Sequence, residues 1–223
     1  MGQDTVDFPL RFGIGTALFS PVSALAGKYP GGVEVNGAFD LSERLSIALD
    51  GGFSRFRHEV YNYTYENHGA YFRGGADYNM LTPVQAAGRY YAGISLRYGL
   101  SFFSHESPSI EYDNYWGEYH TQKGNSFHVA HFLEVSPGVR AELFRNFFIG
   151  WSVNARLLIW SGTGKDLRAV DIPGFGNGSR PFAAGFNYYL SLRFPYRSKR
   201  VIYIKPDRGE TGETTEMKIP IRN

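Results

Sequence analysis

The chain has 223 residues, 17% of them aromatic, with 27 glycines, no cysteine and a formal net charge of +2. The lack of cysteine excludes disulfide frameworks, thiolate metal sites and cysteine nucleophiles, and the near-neutral charge offers no clustered basic face for nucleic acid. No stretch approaches the roughly 18 consecutive apolar residues of a transmembrane helix, because apolar runs are broken every second residue by Gly, Ser, Asn or a charge.

Residues 1–8 read as an N-terminal extension with no basic and apolar signal regions, and Met1-Gly2 reads as a cloning remnant ahead of a mature Gln3. Period-two alternation then predicts strands. The first, residues 10–18, sets Leu10, Phe12, Ile14, Thr16 and Leu18 against Arg11, Gly13, Gly15 and Ala17. In residues 33–41, Val33, Val35, Phe39 and Leu41 oppose Glu34, Asn36, Ala38 and Asp40. In residues 45–53, Leu45, Ile47, Leu49 and Phe53 oppose Ser46, Ala48, Asp50 and Gly52. Residues 70–80 set Phe72, Ala76, Tyr78 and Met80 against Tyr71, Arg73, Gly75, Asp77 and Asn79.

Residues 90–102 alternate most cleanly: Tyr90, Ala92, Ile94, Leu96, Tyr98, Leu100 and Phe102 face away from Tyr91, Gly93, Ser95, Arg97, Gly99 and Ser101. Residues 131–143 set Leu133, Val135, Val139 and Leu143 against Glu134, Ser136, Gly138, Arg140 and Glu142. Residues 147–159 and 184–194 complete the set of eight, with Arg156 and Arg193 on their polar faces. No helix is indicated.

Connections alternate in length. Residues 42–44, 81–89 and 144–146 are short, while 19–32, 54–69, 103–130 and 160–183 are long. Membrane barrels have short periplasmic turns and longer extracellular loops. The polar face carries Arg11, Arg73, Arg97, Arg140, Arg156 and Arg193 with Glu34, Asp40, Asp50, Asp77, Glu134 and Glu142, while the apolar face is almost free of charge. Balanced charge belongs in a packed polar lumen, where an unpaired charge is costly. Aromatics near the segment ends, such as Phe53, Tyr78, Tyr90, Phe102 and Trp160, suit interfacial girdles.

These features predict an all-β, eight-stranded, antiparallel up-and-down transmembrane barrel over residues 9–196. It is expected in a bacterial outer membrane, among lipid and lipopolysaccharide, with both termini periplasmic and long loops extracellular. A soluble closed barrel with a ligand cavity is the alternative. Residues 197–223 are expected as a periplasmic polar tail. The tail reads either as disordered or, through Val201, Ile202, Tyr203 and Ile204, as a strand added to a partner protein's sheet.

Several stretches carry a resemblance: residues 69–80 (GAYFRGGADYNM), Tyr98-Gly99-Leu100-Ser101, Asn114-Tyr115-Trp116-Gly117-Glu118, Ile172-Pro173-Gly174-Phe175 and Gly185-Phe186-Asn187-Tyr188. Together they resemble an uncharacterised family of small outer-membrane barrels from Bacteroidetes-type bacteria, over residues 10–194. The resemblance implies fold and location, and no activity.

The lumen charges read as an internal salt-bridge network or as a proton or solute path. His128 and His131, near Ser126 and Glu134, are weighed as a catalytic group, but Glu134 falls on the opposite face from His131. In the third long connection, Glu106, Glu111, Asp113 and Glu118 lack the regular spacing of a calcium loop. Tyr112, Tyr115, Trp116 and Tyr119 are its expected contact residues, with Tyr115 and Trp116 folding it over the barrel mouth. Gly162-Thr163-Gly164-Lys165 lacks the rest of a phosphate-loop signature. The expected role is therefore non-enzymatic, without metal or cofactor: a structural or accessory subunit docking a larger outer-membrane assembly. An enzyme acting on lipid or lipopolysaccharide and a narrow solute or ion channel are the alternatives.

Overall fold

A computed structural model describes residues 3–18, 30–60, 63–114, 117–163 and 169–204. Its strands in chain order are β1 (Gln3–Leu18), β2 (Pro30–Asp40), β3 (Leu45–Val60), β4 (Tyr63–Asn79), β5 (Tyr90–Asn114), β6 (Gly117–Phe144), β7 (Phe147–Ser161), β8 (Asp171–Ile172), β9 (Gly176–Asn177) and β10 (Phe182–Ile204). Eight of them close into a barrel in the order β1-β10-β7-β6-β5-β4-β3-β2, and β8 pairs with β9 in a separate hairpin. All of the ring pairings are antiparallel. Closure leaves no sheet edge inside the ring, as hydrocarbon requires.

The two faces have opposite chemistry. Ile14, Leu49, Leu96 and Val153 are exposed, whereas Arg73, Asp50, Glu134 and Asn154 are buried inside. An apolar outside around a charged inside is the transmembrane arrangement. Tyr78, Tyr90, Phe144 and Tyr196 ring the short-turn end, and Phe53, Phe102, Trp160 and Phe182 the other, all exposed.

Two expected long loops are instead hairpins, because β3 and β4 run to Val60 and from Tyr63, and β5 and β6 to Asn114 and from Gly117. Above the lipid belt no apolar face is required, so the alternation fades while the backbone ladder continues. The fourth long connection folds inward through β8 and β9. Between β4 and β5 lies one helical turn, α1 (Pro83–Ala86), closed by a capping box between Thr82 and Gln85.

The strand ends also differ from expectation. Residues 197–204 continue β10 and pair with β1 from Leu10 back to Gln3, so no domain boundary falls at residues 8/9 or 196/197. Val201, Ile202, Tyr203 and Ile204 stand opposite Val6, Thr5, Asp4 and Gln3. The segment expected to join a partner's sheet therefore already forms a ribbon with the chain's own first strand. Pro9 and Pro195 both lie within paired strands, and a two-stranded ribbon tolerates proline where its N–H would face an open edge. A bulge leaves Tyr196 as the extra residue, and Leu10 is buried against Phe8 and Ala86 rather than facing lipid. Residues 205–223 and the first long connection, residues 19–29, lie outside the described residues.

Candidate functional site

The lumen is the candidate site. Alternation brings one charged side chain inward from almost every strand, and the ring places them within bonding distance. Arg73 on β4 is the hub: its guanidinium lies 2.6 Å from Glu34, 2.9 Å from Glu134 and 3.5 Å from Asp50. Arg156 meets Glu134 at 2.6 Å, and Arg97 meets Asp50 at 2.8 Å and Asp77 at 3.0 Å. Hydroxyls complete this layer, Tyr71 donating to Glu34 and Ser136 to Glu134. Nearer the short turns, Arg193 contacts Asp40 at 2.6 Å and Arg11 contacts Glu142 at 3.2 Å. Arg140 faces the same interior, its guanidinium 4.7 Å above the Tyr91 ring. Glu34, Asp50, Arg73, Asp77, Arg97, Glu134, Arg140 and Arg193 line the lumen cavity, while Arg11 and Glu142 sit at its short-turn end.

Both mouths are covered. At the long-loop end Ile172, Pro173 and Phe175 are almost wholly buried, and Ile172 and Phe175 pack with Phe103, Phe132, Ala130 and Ala183. Arg156 donates to the Phe175 carbonyl at 3.2 Å, and Asn67 donates to the Asp171 carbonyl. Gly174 has φ +76°, and a Cβ there would lie 2.5 Å from the Tyr71 ring, so glycine is required for this close approach. At the opposite end the β1–β10 ribbon lies on the turns: Phe8 and Leu10 pack with Ala86, Leu81 and Val201, and Lys199 meets Glu43 at 3.0 Å. A cavity of about 70 Å³ remains in the lumen and one of about 30 Å³ under the ribbon.

The outer cap holds two titratable groups above the lipid belt. Burial pushes the Asp171 carboxyl up to about 7. Burial, aided by neighbouring His128, holds the His105 imidazole down to about 4. His105 stacks on His128 at 4.6 Å and on Tyr65 at 5.8 Å.

Residues 1–199 match the family described as Domain of unknown function (DUF6048). The chain belongs to that family. All stretches behind the sequence resemblance lie inside the matched region. No curated protein matches the chain. Among solved structures, the DUF6048 chain is similar to the N-terminal β-barrel domain of Pseudomonas aeruginosa OprF, at 13% identity over 87% of this chain and 100% of that one, TM-score 0.37. Neisserial surface protein A (NspA) aligns at 11% identity over 87% and 100%, TM-score 0.36. Acinetobacter baumannii CarO aligns at 11% over 85% and 98%, TM-score 0.38.

The residues weighed as catalytic do not converge in the DUF6048 barrel. His131 shares a 2.7 Å hydrogen bond with the Tyr98 hydroxyl and packs on Trp160, a girdle setting, while Glu134 is committed to arginines inside. His128 bonds the Gly162 carbonyl at 3.0 Å, and Ser126 is exposed. Tyr112 and Tyr119 are register partners on the β5–β6 hairpin, and Tyr115 and Trp116 lie outside the described residues. No cluster of three or more metal-binding side chains occurs among the described residues. The alternation puts Tyr71 and Ser136 on the polar face without marking them as network partners, and Pro173-Gly174-Phe175, whose Pro173 and Phe175 are buried in the cap, carried no structural signal beyond the resemblance.

Proposed function

We propose that this barrel is a non-enzymatic structural or accessory subunit of the outer membrane, docking a larger envelope assembly. Its termini would lie in the periplasm and its long hairpins outside, with lipid and lipopolysaccharide around the belt. One observation carries the reading. The lumen is filled by guanidinium–carboxylate pairs and covered at both ends, while strand edges stay open beyond the ring.

Among the described residues, β10 has no backbone partner on its β7 side after Arg193, and β6 none on its β7 side before Val129. Open edges are templates for another strand. The inner ribbon, through Val201, Ile202, Tyr203 and Ile204, is the edge that would meet a periplasmic or membrane partner.

The test is purification of tagged protein from native membranes in mild detergent, comparing the full chain with one ending at Tyr196. Folding of both is checked by the heat-dependent gel mobility of closed barrels. A specific envelope protein in fixed ratio with the full chain, lost from the folded short form, is the expected result. Absence of such a protein from both preparations would overturn the reading.

A further inference from the structure

We propose that the inner half of the lumen binds one small inorganic anion, of halide or phosphate size, between Arg140 and Arg193. The lumen arginines are unequally matched. Arg11, Arg73, Arg97, Arg156 and Arg193 each lie within 3.2 Å of a carboxylate oxygen. Arg140 has no carboxylate partner among the described residues. Its register neighbours are Tyr91 and Gly150, which supply none, and Glu142 on the same strand is taken by Arg11 and by the Asn146 backbone N–H.

Asp77 lies near both Arg140 and Arg193 but is engaged by Arg97, so Arg140 faces the cavity with no carboxylate in ion-pair contact among the described residues. Arg140 and Arg193 repel each other inside the same cavity.

That cavity is also rich in unused donors. Arg193 Nε, Asn154 Nδ2 and Ser191 Oγ are buried on or beside its wall with no hydrogen-bond acceptor. Its carboxylates are already engaged by arginines, Asp77 by Arg97 at 3.0 Å. An anion beside Arg140 and Arg193 would answer the uncontacted Arg140 guanidinium and the free donors. Arg140, Arg193 and Tyr91 line the space under the inner ribbon as well, which gives a route of entry from that end.

The experiment uses the full chain refolded in detergent, with unfolding followed by far-ultraviolet circular dichroism in sodium chloride or sodium gluconate at equal ionic strength. Chloride is expected to raise the midpoint by several degrees in the wild type and to have no such effect in R140Q. D77N, which removes the carboxylate across the cavity, is expected to keep or enlarge the chloride effect. Equal midpoints in the two salts for the wild type would overturn the proposal. So would a D77N chain that loses the salt effect, since removing a neighbouring carboxylate cannot weaken an anion site between two guanidiniums. Should R140Q fail to fold, anomalous scattering from wild-type crystals grown in bromide decides. A peak between Arg140 and Arg193 supports the site and its absence refutes it.

Discussion

Arg73 touches three carboxylates from three other strands while remaining 3% exposed, so its removal acts on β2, β3 and β6 at once. Replacing it with methionine leaves Glu34 buried without a cationic partner and removes one of the two arginines on Glu134 and on Asp50, which is expected to destabilise the barrel by about 3–5 kcal/mol in a urea titration. The exposed Arg55–Glu66 pair at 3.6 Å is the control. R55Q is expected to cost less than about 1 kcal/mol, because water already screens that pair. If both substitutions shift the midpoint equally, the lumen network is not what holds the ring. At this scale the sequence shows a side chain's face and not its distance to a partner. Alternation therefore places Arg73 and Arg140 on the same inner surface, though Arg73 contacts three carboxylates and Arg140 none among the described residues. The bulge at Tyr196 was equally hidden, since Pro195 and Tyr196 look alike as a strand end or as an irregular strand.

The outer cap is an element with its own stability. Phe175 is fully buried in it, and F175A is expected to cost about 3–5 kcal/mol of local stability. Faster amide exchange over residues 170–178 with unchanged gel mobility of the barrel would show this. Its pH response has two opposing parts. Asp171 has its carboxyl raised from 3.8 to about 7, so the closed cap keeps a proton that the opened cap releases. Cap stability from this group is complete below 3.8 and is lost as pH rises to about 7. His105 is lowered from 6.5 to about 4, so the opened cap takes up a proton that the closed cap refuses. Stability from His105 is complete above 6.5 and is lost as pH falls to about 4. The two slopes offset in the wild type. D171N is expected to leave a cap that firms toward pH 6.5, and H105F one that firms toward pH 4, read from Ile172 and Phe175 exchange corrected for intrinsic rate. The same slope in both variants would contradict these assignments. The cap itself was poorly legible, because a loop buried by long-range contacts with Phe103 and Phe132 has no local period to read.

For the whole molecule, ring order and the side facing lipid were legible because both follow from local repetition: a period of two along each strand and a short–long alternation of connections. The seals were not. The inner ribbon joins residues 3–10 to residues 197–204, and no local pattern announces a pairing across nearly the whole chain. With the ribbon in place, three layers lie along the lumen: the outer cap, the Arg73 network and the ribbon over the inner turns. An eight-stranded barrel is just wide enough for side chains to fill, so the middle layer should suffice to block flow alone. Reconstituted in planar bilayers, the full chain is expected to show no open-channel current. Replacing residues 170–180 with a flexible linker removes the cap, and ending the chain at Tyr196 removes half of the ribbon. Neither change touches Arg73, Glu34, Asp50 or Glu134, so both variants are expected to stay silent. Sustained ohmic conductance from either one would mean that the ion-pair layer is permeable and that the caps are the seal, which would return the narrow-channel reading to first place.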